Sequence, residues 1–175
     1  MDGALNFDLT NTRHRALKRM ILGRRDIDAA LQAIKYIIEN VKEGQYHPLY
    51  DPLSCAAVIC YSRPFINRRQ YPALPSKYSK FSDQELHWLH FAVIDLRNNF
   101  VAHCDESAHK VVLIPKGAEI SWGDGKGRGI VASHGEFIGS RSLAVAHFPL
   151  FRELCEYQLQ RLRERISSEK TALFP

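Results

Sequence analysis

The stretch SDQELHWLHFAVIDLRNNFVAH, residues 82–103, decides the reading of the fold. Ser82 is followed three residues later by Glu85, the pattern of a capping box that opens a helix. Beyond it Leu86, Leu89, Val93, Leu96 and Phe100 recur at alternating spacings of three and four. That spacing lays one apolar seam along a helix, and a seam of this kind needs other helices to pack on. The helix is expected to run to about Ala102.

The flanking sequence supplies candidates for those partners. Residues 12–43 read as helix, with a break near Gly23. In its second part Ile27, Leu31, Ile34, Ile38 and Val41 keep helical spacing, and Gly44 is a natural stop. After a Pro-marked turn, Asp51 with Pro52 can cap and start a second helix over residues 53–62. That segment is apolar nearly all round, which predicts burial, and Pro64 ends it. A last helix is expected over about 149–167, with Leu150, Leu154, Tyr157 and Leu162 turned inward. Between the last two helices, Val111–Ile114 reads as a short strand and residues 129–138 as its partner. The fold class is therefore mainly α: a single domain, residues 1–175, built as an antiparallel bundle of about four helices. A small β-hairpin, about 108–138, is inserted before the last helix.

Composition narrows the function classes. Hydrophobic residues make up 45% and charged residues 25%, enough apolar material for a core. No apolar run reaches the length of a membrane span. The start of the chain has no basic segment followed by an apolar one, so no secretory signal is expected. Cys55, Cys60, Cys104 and Cys155 are scattered and form no C-x-x-C pair, which points to reduced thiols and a cytoplasmic setting. The net charge of +5 favours a polyanionic partner, because Arg and Lys make most phosphate contacts.

Two segments carry that charge in loops. Residues 63–81 hold three prolines and interleave Arg63, Arg68, Arg69, Lys77 and Lys80 with Phe65, Tyr71, Tyr78 and Phe81. Phosphate contacts with base stacking would use this mixture, so Arg63, Arg68, Arg69 and Lys77 are candidate RNA contacts. The same composition also describes a solvated loop pinned down by its aromatics. Residues 123–129, GDGKGRG, lack the order of a phosphate-binding P-loop and read as a flexible hairpin end. Lys126 and Arg128 could still reach phosphate from there. Asp83, His87 and His90 share one helix face, but an acid is favoured in a first helical turn anyway and no fourth ligand is apparent. No metal and no cofactor is expected.

The end of the central helix remains. On a helical wheel Arg97 and His103 stand about 120° apart and flank the packing seam on opposite edges. Both are costly to bury unpaired. A purely structural reading pairs Arg97 with an acid of another helix and has His103 cap the helix end with Asn99 and Asp105. The alternative is a site beside the seam.

Arg97-Asn98-Asn99-Phe100-Val101-Ala102-His103 resembles the R-x(4–6)-H motif of the HEPN superfamily, including the polar residue that often follows its arginine. The longer run LRNNFVAHCD is similar to a bacterial subgroup sharing this helix end and a following strand. The spacing itself occurs three times, at Arg97/His103, Arg128/His134 and Arg141/His147, and only the first lies on a long expected helix. The resemblance implies a metal-independent endoribonuclease of the toxin-antitoxin or phage-defence kind. His103 would take the proton of a ribose 2′-hydroxyl. Arg97 would stabilise the phosphorane charge. Asn98 would orient the phosphate or His103. RNA, a second copy of the chain in a homodimer and an antitoxin protein are the partners implied. The superfamily also contains non-catalytic members, so a nucleotide- or protein-binding module is the alternative.

Overall fold

Four α-helices account for most of the described chain: α1 (Thr12–Asn40), α2 (Tyr50–Ser62), α3 (Gln84–Leu96) and α4 (Phe148–Leu173). The computed structural model describes residues 7–8, 10–42, 45, 47–67, 72–98, 109–114, 117, 119–122, 127–130, 135–140 and 143–173. The protein is mainly helical. Helix α1 packs on α2 and α4, and α3 packs on α2 and α4, so the contacts close a ring of four helices around one core.

Each helix contributes one stripe to that core. Helix α1 buries Leu17, Met20, Ile27, Leu31, Ile34 and Ile37, and Val41 follows as its buried C-cap. Helix α3 buries Leu86, Leu89, His90 and Val93; of the seam read from sequence, Leu96 is half buried and Phe100 lies outside the described residues. Helix α4 buries Phe148, Phe151, Leu154, Leu159, Leu162 and Ile166. It is longer than expected, and its two largest anchors, Phe148 and Phe151, lie at the start. Leu150 and Tyr157 are only half buried. At 1.5 Å per residue α1 and α4 are about 44 and 39 Å long, whereas α2 and α3 are each about 20 Å. The two long helices therefore extend beyond the two short ones.

Several local expectations are corrected. Helix α1 runs through Gly23 without a break. A side chain there would bring its Cβ to 3.2 Å from the Pro64 Cβ and 3.5 Å from the Leu74 Cδ1, so the glycine permits close approach of a loop. Helix α2 starts at Tyr50, and Leu49 occupies the N-cap without a side-chain bond. Asp51 therefore sits in the first turn and is not the cap. Helix α2 is also not buried all round: Ser54, Ala57, Val58 and Tyr61 face the core, while Cys55 and Ala56 face solvent. At the start of α3 the cap is Asp83, whose carboxylate accepts the amide N–H groups of Glu85 at 2.8 Å and Leu86 at 3.0 Å. A carboxylate there satisfies two orphan donors and meets the positive end of the helix dipole. Ser82 is left outside the cap.

In place of a single hairpin, four short strands form two separate two-stranded antiparallel ladders. Strand β1 (His109–Ile114) pairs with β4 (Gly135–Ser140), and β2 (Glu119–Trp122) pairs with β3 (Gly127–Ile130). The register places Val111 opposite Ile138 and Ile114 opposite Gly135. Residues 129–138 are thus not one partner strand: Gly129 belongs to the inner ladder, opposite Ile120.

The Pro-rich connection between α2 and α3 is tied to both long helices. It enters through a 3₁₀ turn, Arg63–Phe65, and ends near a second, Ser76–Ser79. The Arg19 guanidinium donates to the Ala73 carbonyl. The Gln158 amide donates to the Tyr78 carbonyl at 2.6 Å, and Arg161 donates to the Lys77 carbonyl at 2.7 Å. Phe65 and Phe81 pack against the core and Tyr78 is 2% exposed. These three aromatics are therefore anchors of the loop.

Candidate functional site

At the end of α3 the backbone leaves the α-helix. Arg97 is the C-cap, and residues 97–98 form a π-helical turn. Such widened turns are uncommon and recur at functional sites. The Arg97 side chain is half buried, and its Nη1 donates to the Asn98 Oδ1 at 3.0 Å. Asn98 itself is exposed. Among the described residues Arg97 joins no ion pair; the three present are Arg13–Glu169, Arg25–Asp26 and Arg165–Glu169. The side-chain partner of Arg97 among the described residues is the neighbouring amide of Asn98. His103 lies outside the described residues, as does the expected helical course from Asn99 to Ala102.

The candidate RNA contacts divide in the same way. Arg63 and Lys77 are described and exposed. Arg68, Arg69 and Lys126 lie outside the described residues. Arg128 is placed as backbone in β3, opposite Ser121, and its side chain lies outside the described part. Arg63 and Lys77 are not adjacent to Arg97 in any described pocket. Instead each lines a separate groove on α1.

The first groove, about 340 Å³, lies between the start of α1, residues 75–78 and the end of α4. Its cations are Arg13, Arg19, Lys77 and Arg165, and its one acid is Glu169. Glu169 pairs with Arg13 at 3.2 Å and with Arg165. Lys77 lies over the Tyr78 ring, 5.4 Å from its centre. The second groove, about 450 Å³, is walled by Arg63, Pro64 and Pro72 against the next turns of α1. It adds Arg25 and Asp26 and shares Arg19 with the first. Arg13, Arg19, Arg25 and Arg165 belong to no sequence motif that marks a site, and the meeting of Arg13 with Glu169 spans 156 positions and needs the fold.

Asp83, His87 and His90, which share a helix face in the sequence, do not converge on one point. The Asp83 carboxylate is spent on the cap, His87 is exposed, and His90 is fully buried with its Nδ1 2.8 Å from the Tyr61 hydroxyl. Among the described residues no group of three His, Cys, Asp or Glu side chains is arranged to hold a metal ion. Cys55, Cys60 and Cys155 are free thiols. No described helix is long and apolar enough to cross a membrane.

Comparison of the chain with protein-family models, with curated proteins and with solved structures finds no match.

Proposed function

We propose that the chain is a HEPN-like, metal-independent endoribonuclease acting through Arg97, Asn98 and His103. The observation that supports this reading is the state of Arg97: a half-buried guanidinium at the end of a bundle helix, bonded to Asn98 and paired with no carboxylate among the described residues. The structural alternative, an arginine locked in an ion pair between helices, has no counterpart among the described residues.

In the proposed reaction the neutral His103 imidazole takes the proton from a ribose 2′-hydroxyl, and that oxygen attacks the adjacent phosphorus. Negative charge grows on the non-bridging oxygens, where a guanidinium can donate two parallel hydrogen bonds. Departure of the 5′-oxygen, with a proton returned to it, yields a 2′,3′-cyclic phosphate and a 5′-hydroxyl. Asn98 holds the guanidinium in place and frees it from searching rotamers. A homodimer would bring two such helix ends to one cleft, and an antitoxin protein would be expected to cover it.

The test is cleavage of total RNA by purified protein in EDTA, with His103→Ala and Arg97→Lys alongside. Wild type should cleave and leave cyclic phosphate ends. His103→Ala should lose about 10²-fold or more, the usual contribution of a general base. Arg97→Lys should also lose activity, because an ammonium cannot reproduce bidentate contact. Equal activity in wild type and His103→Ala, or none in wild type, overturns the reading. RNA binding without cleavage would leave the non-catalytic HEPN-like module in its place.

A further inference from the structure

The two grooves on α1 are one surface. Thr12, Ala16, Arg19, Gly23 and Asp26 recur at spacings of four and three, so a single stripe of α1 floors both. Along the helix axis that stripe spans about 21 Å. Arg13, Arg25 and Arg165 stand along it, and Lys77 and Arg63 overhang it from the Pro-rich connection. Arg19 sits where the two grooves meet, held by its bond to the Ala73 carbonyl. Six cations thus face two acids, Glu169 and Asp26, along one line.

From this geometry we propose that the α1 stripe is a binding track for the phosphodiester backbone of single-stranded RNA. The identification of the polymer as RNA rests on the ribonuclease reading above; the track itself rests on groove and charge. A linear array suits a linear polyanion, and 21 Å corresponds to about six stacked nucleotides at 3.4 Å each. The floor between the cations is apolar, with the exposed Ala16, Pro72 and Pro75 beside the buried Met20 and Pro64 among its lining, and it can carry riboses. Among the described lining residues no aromatic face is open in either groove, because Tyr78 is buried and covered by Lys77 and Arg161. Binding is therefore driven by phosphate contacts and indifferent to base sequence. Glu169 and Asp26 serve to hold Arg13, Arg165 and Arg25 at the rim.

The experiment is fluorescence anisotropy of a labelled 12-nucleotide single-stranded RNA across a salt series, with a DNA strand of the same sequence as a second arm. Arg25→Gln/Arg63→Gln/Lys77→Gln changes three exposed cations of the track. Lys35→Gln/Lys42→Gln/Arg152→Gln removes the same charge elsewhere. The track variant should bind at least tenfold more weakly at low salt, and its slope of log K against log salt should be shallower by about 2, from roughly 0.7 per lost contact. The control variant should bind as wild type does, and both strands should respond alike. If circular dichroism shows the triple variant misfolded, Arg25→Gln and Lys77→Gln singly should each reduce the slope by about 0.7. Track variants that bind like wild type, or no binding by wild type, overturn the proposal. His103→Ala should retain binding; if it alone abolishes binding, the track is not the site. Wild type that binds through the track without cleaving would sink the ribonuclease reading and leave the track standing.

Discussion

Among single residues, His90 is the one whose chemistry most constrains stability. It is fully buried, and its ring meets Phe65 at 4.6 Å and Phe81 at 5.1 Å between centres. One ring nitrogen shares a hydrogen bond with the Tyr61 hydroxyl, and Nε2 has no partner. Burial pushes its pKa down to about 4, helped by the positive charge of His87 and Arg161. The unfolded chain takes up this proton near pH 6.5, whereas the native state resists it until about pH 4. More protons are bound by the unfolded state across that window, so stability rises with pH within it and is lost on acidification. The expected loss between pH 6.5 and 4 is about 3 kcal/mol. Urea midpoints measured at pH 7 and 4.5 should fall steeply for wild type and less for His90→Phe; parallel pH profiles would remove His90 as the cause. The sequence left open which of the two histidines is structural. Spacing favours structural or surface histidines over a metal site, but only the packing against Tyr61, Phe65 and Phe81 shows that His90 is the core one and His87 the surface one.

At the scale of elements, caps and loop anchors separate what pattern reveals from what it conceals. Residues 82–85 contain two plausible caps one position apart. The wheel cannot choose between them, but the Asp83 carboxylate reaches two amides and carries the charge that a helix start favours. Asp83→Ala should therefore cost about 1 kcal/mol in denaturant unfolding, and Ser82→Ala close to nothing. The reverse order would restore the capping box as first read. The seam of α3 was legible because its apolar residues alternate at three and four. The anchoring of the Pro-rich connection was not, since Arg161 and Gln158 lie about 80 positions away from the carbonyls they hold. Arginine in a helix reads as a solvated charge until its backbone partners are known. The same blindness affected Gly23, which looks like a helix breaker in sequence and is in fact the place where Pro64 crosses α1. The candidate site was legible as a helix end bearing Arg97 and Asn98, and the turn that fixes their mutual bond was not.

At the scale of the molecule, the mainly helical architecture follows from four apolar stripes that cannot be satisfied singly. Their spacing was readable along the chain, whereas the order of neighbours around the ring was set by long-range contacts. The split of the strand region into two ladders also escaped pattern, because Gly-rich segments specify register weakly. The unequal helix lengths have a consequence in time. Where all four helices overlap, opening any amide of α1 or α4 must disturb the shared core. Beyond Ile166, the last buried residue of α4, residues 167–173 are held by the half-buried Leu173 and by the pairs of Glu169 with Arg13 and Arg165. Local opening there is expected to be cheap and fast, and opening at Leu154–Leu162 to require global unfolding. Hydrogen exchange should accordingly sort α4 into a slow first two thirds and a fast end, and uniform protection along the helix would contradict it. The bundle then behaves as a clock with two hands, and the basic stripe of α1, pinned at Leu17, Met20 and Gly23, is expected to keep time with the slower one.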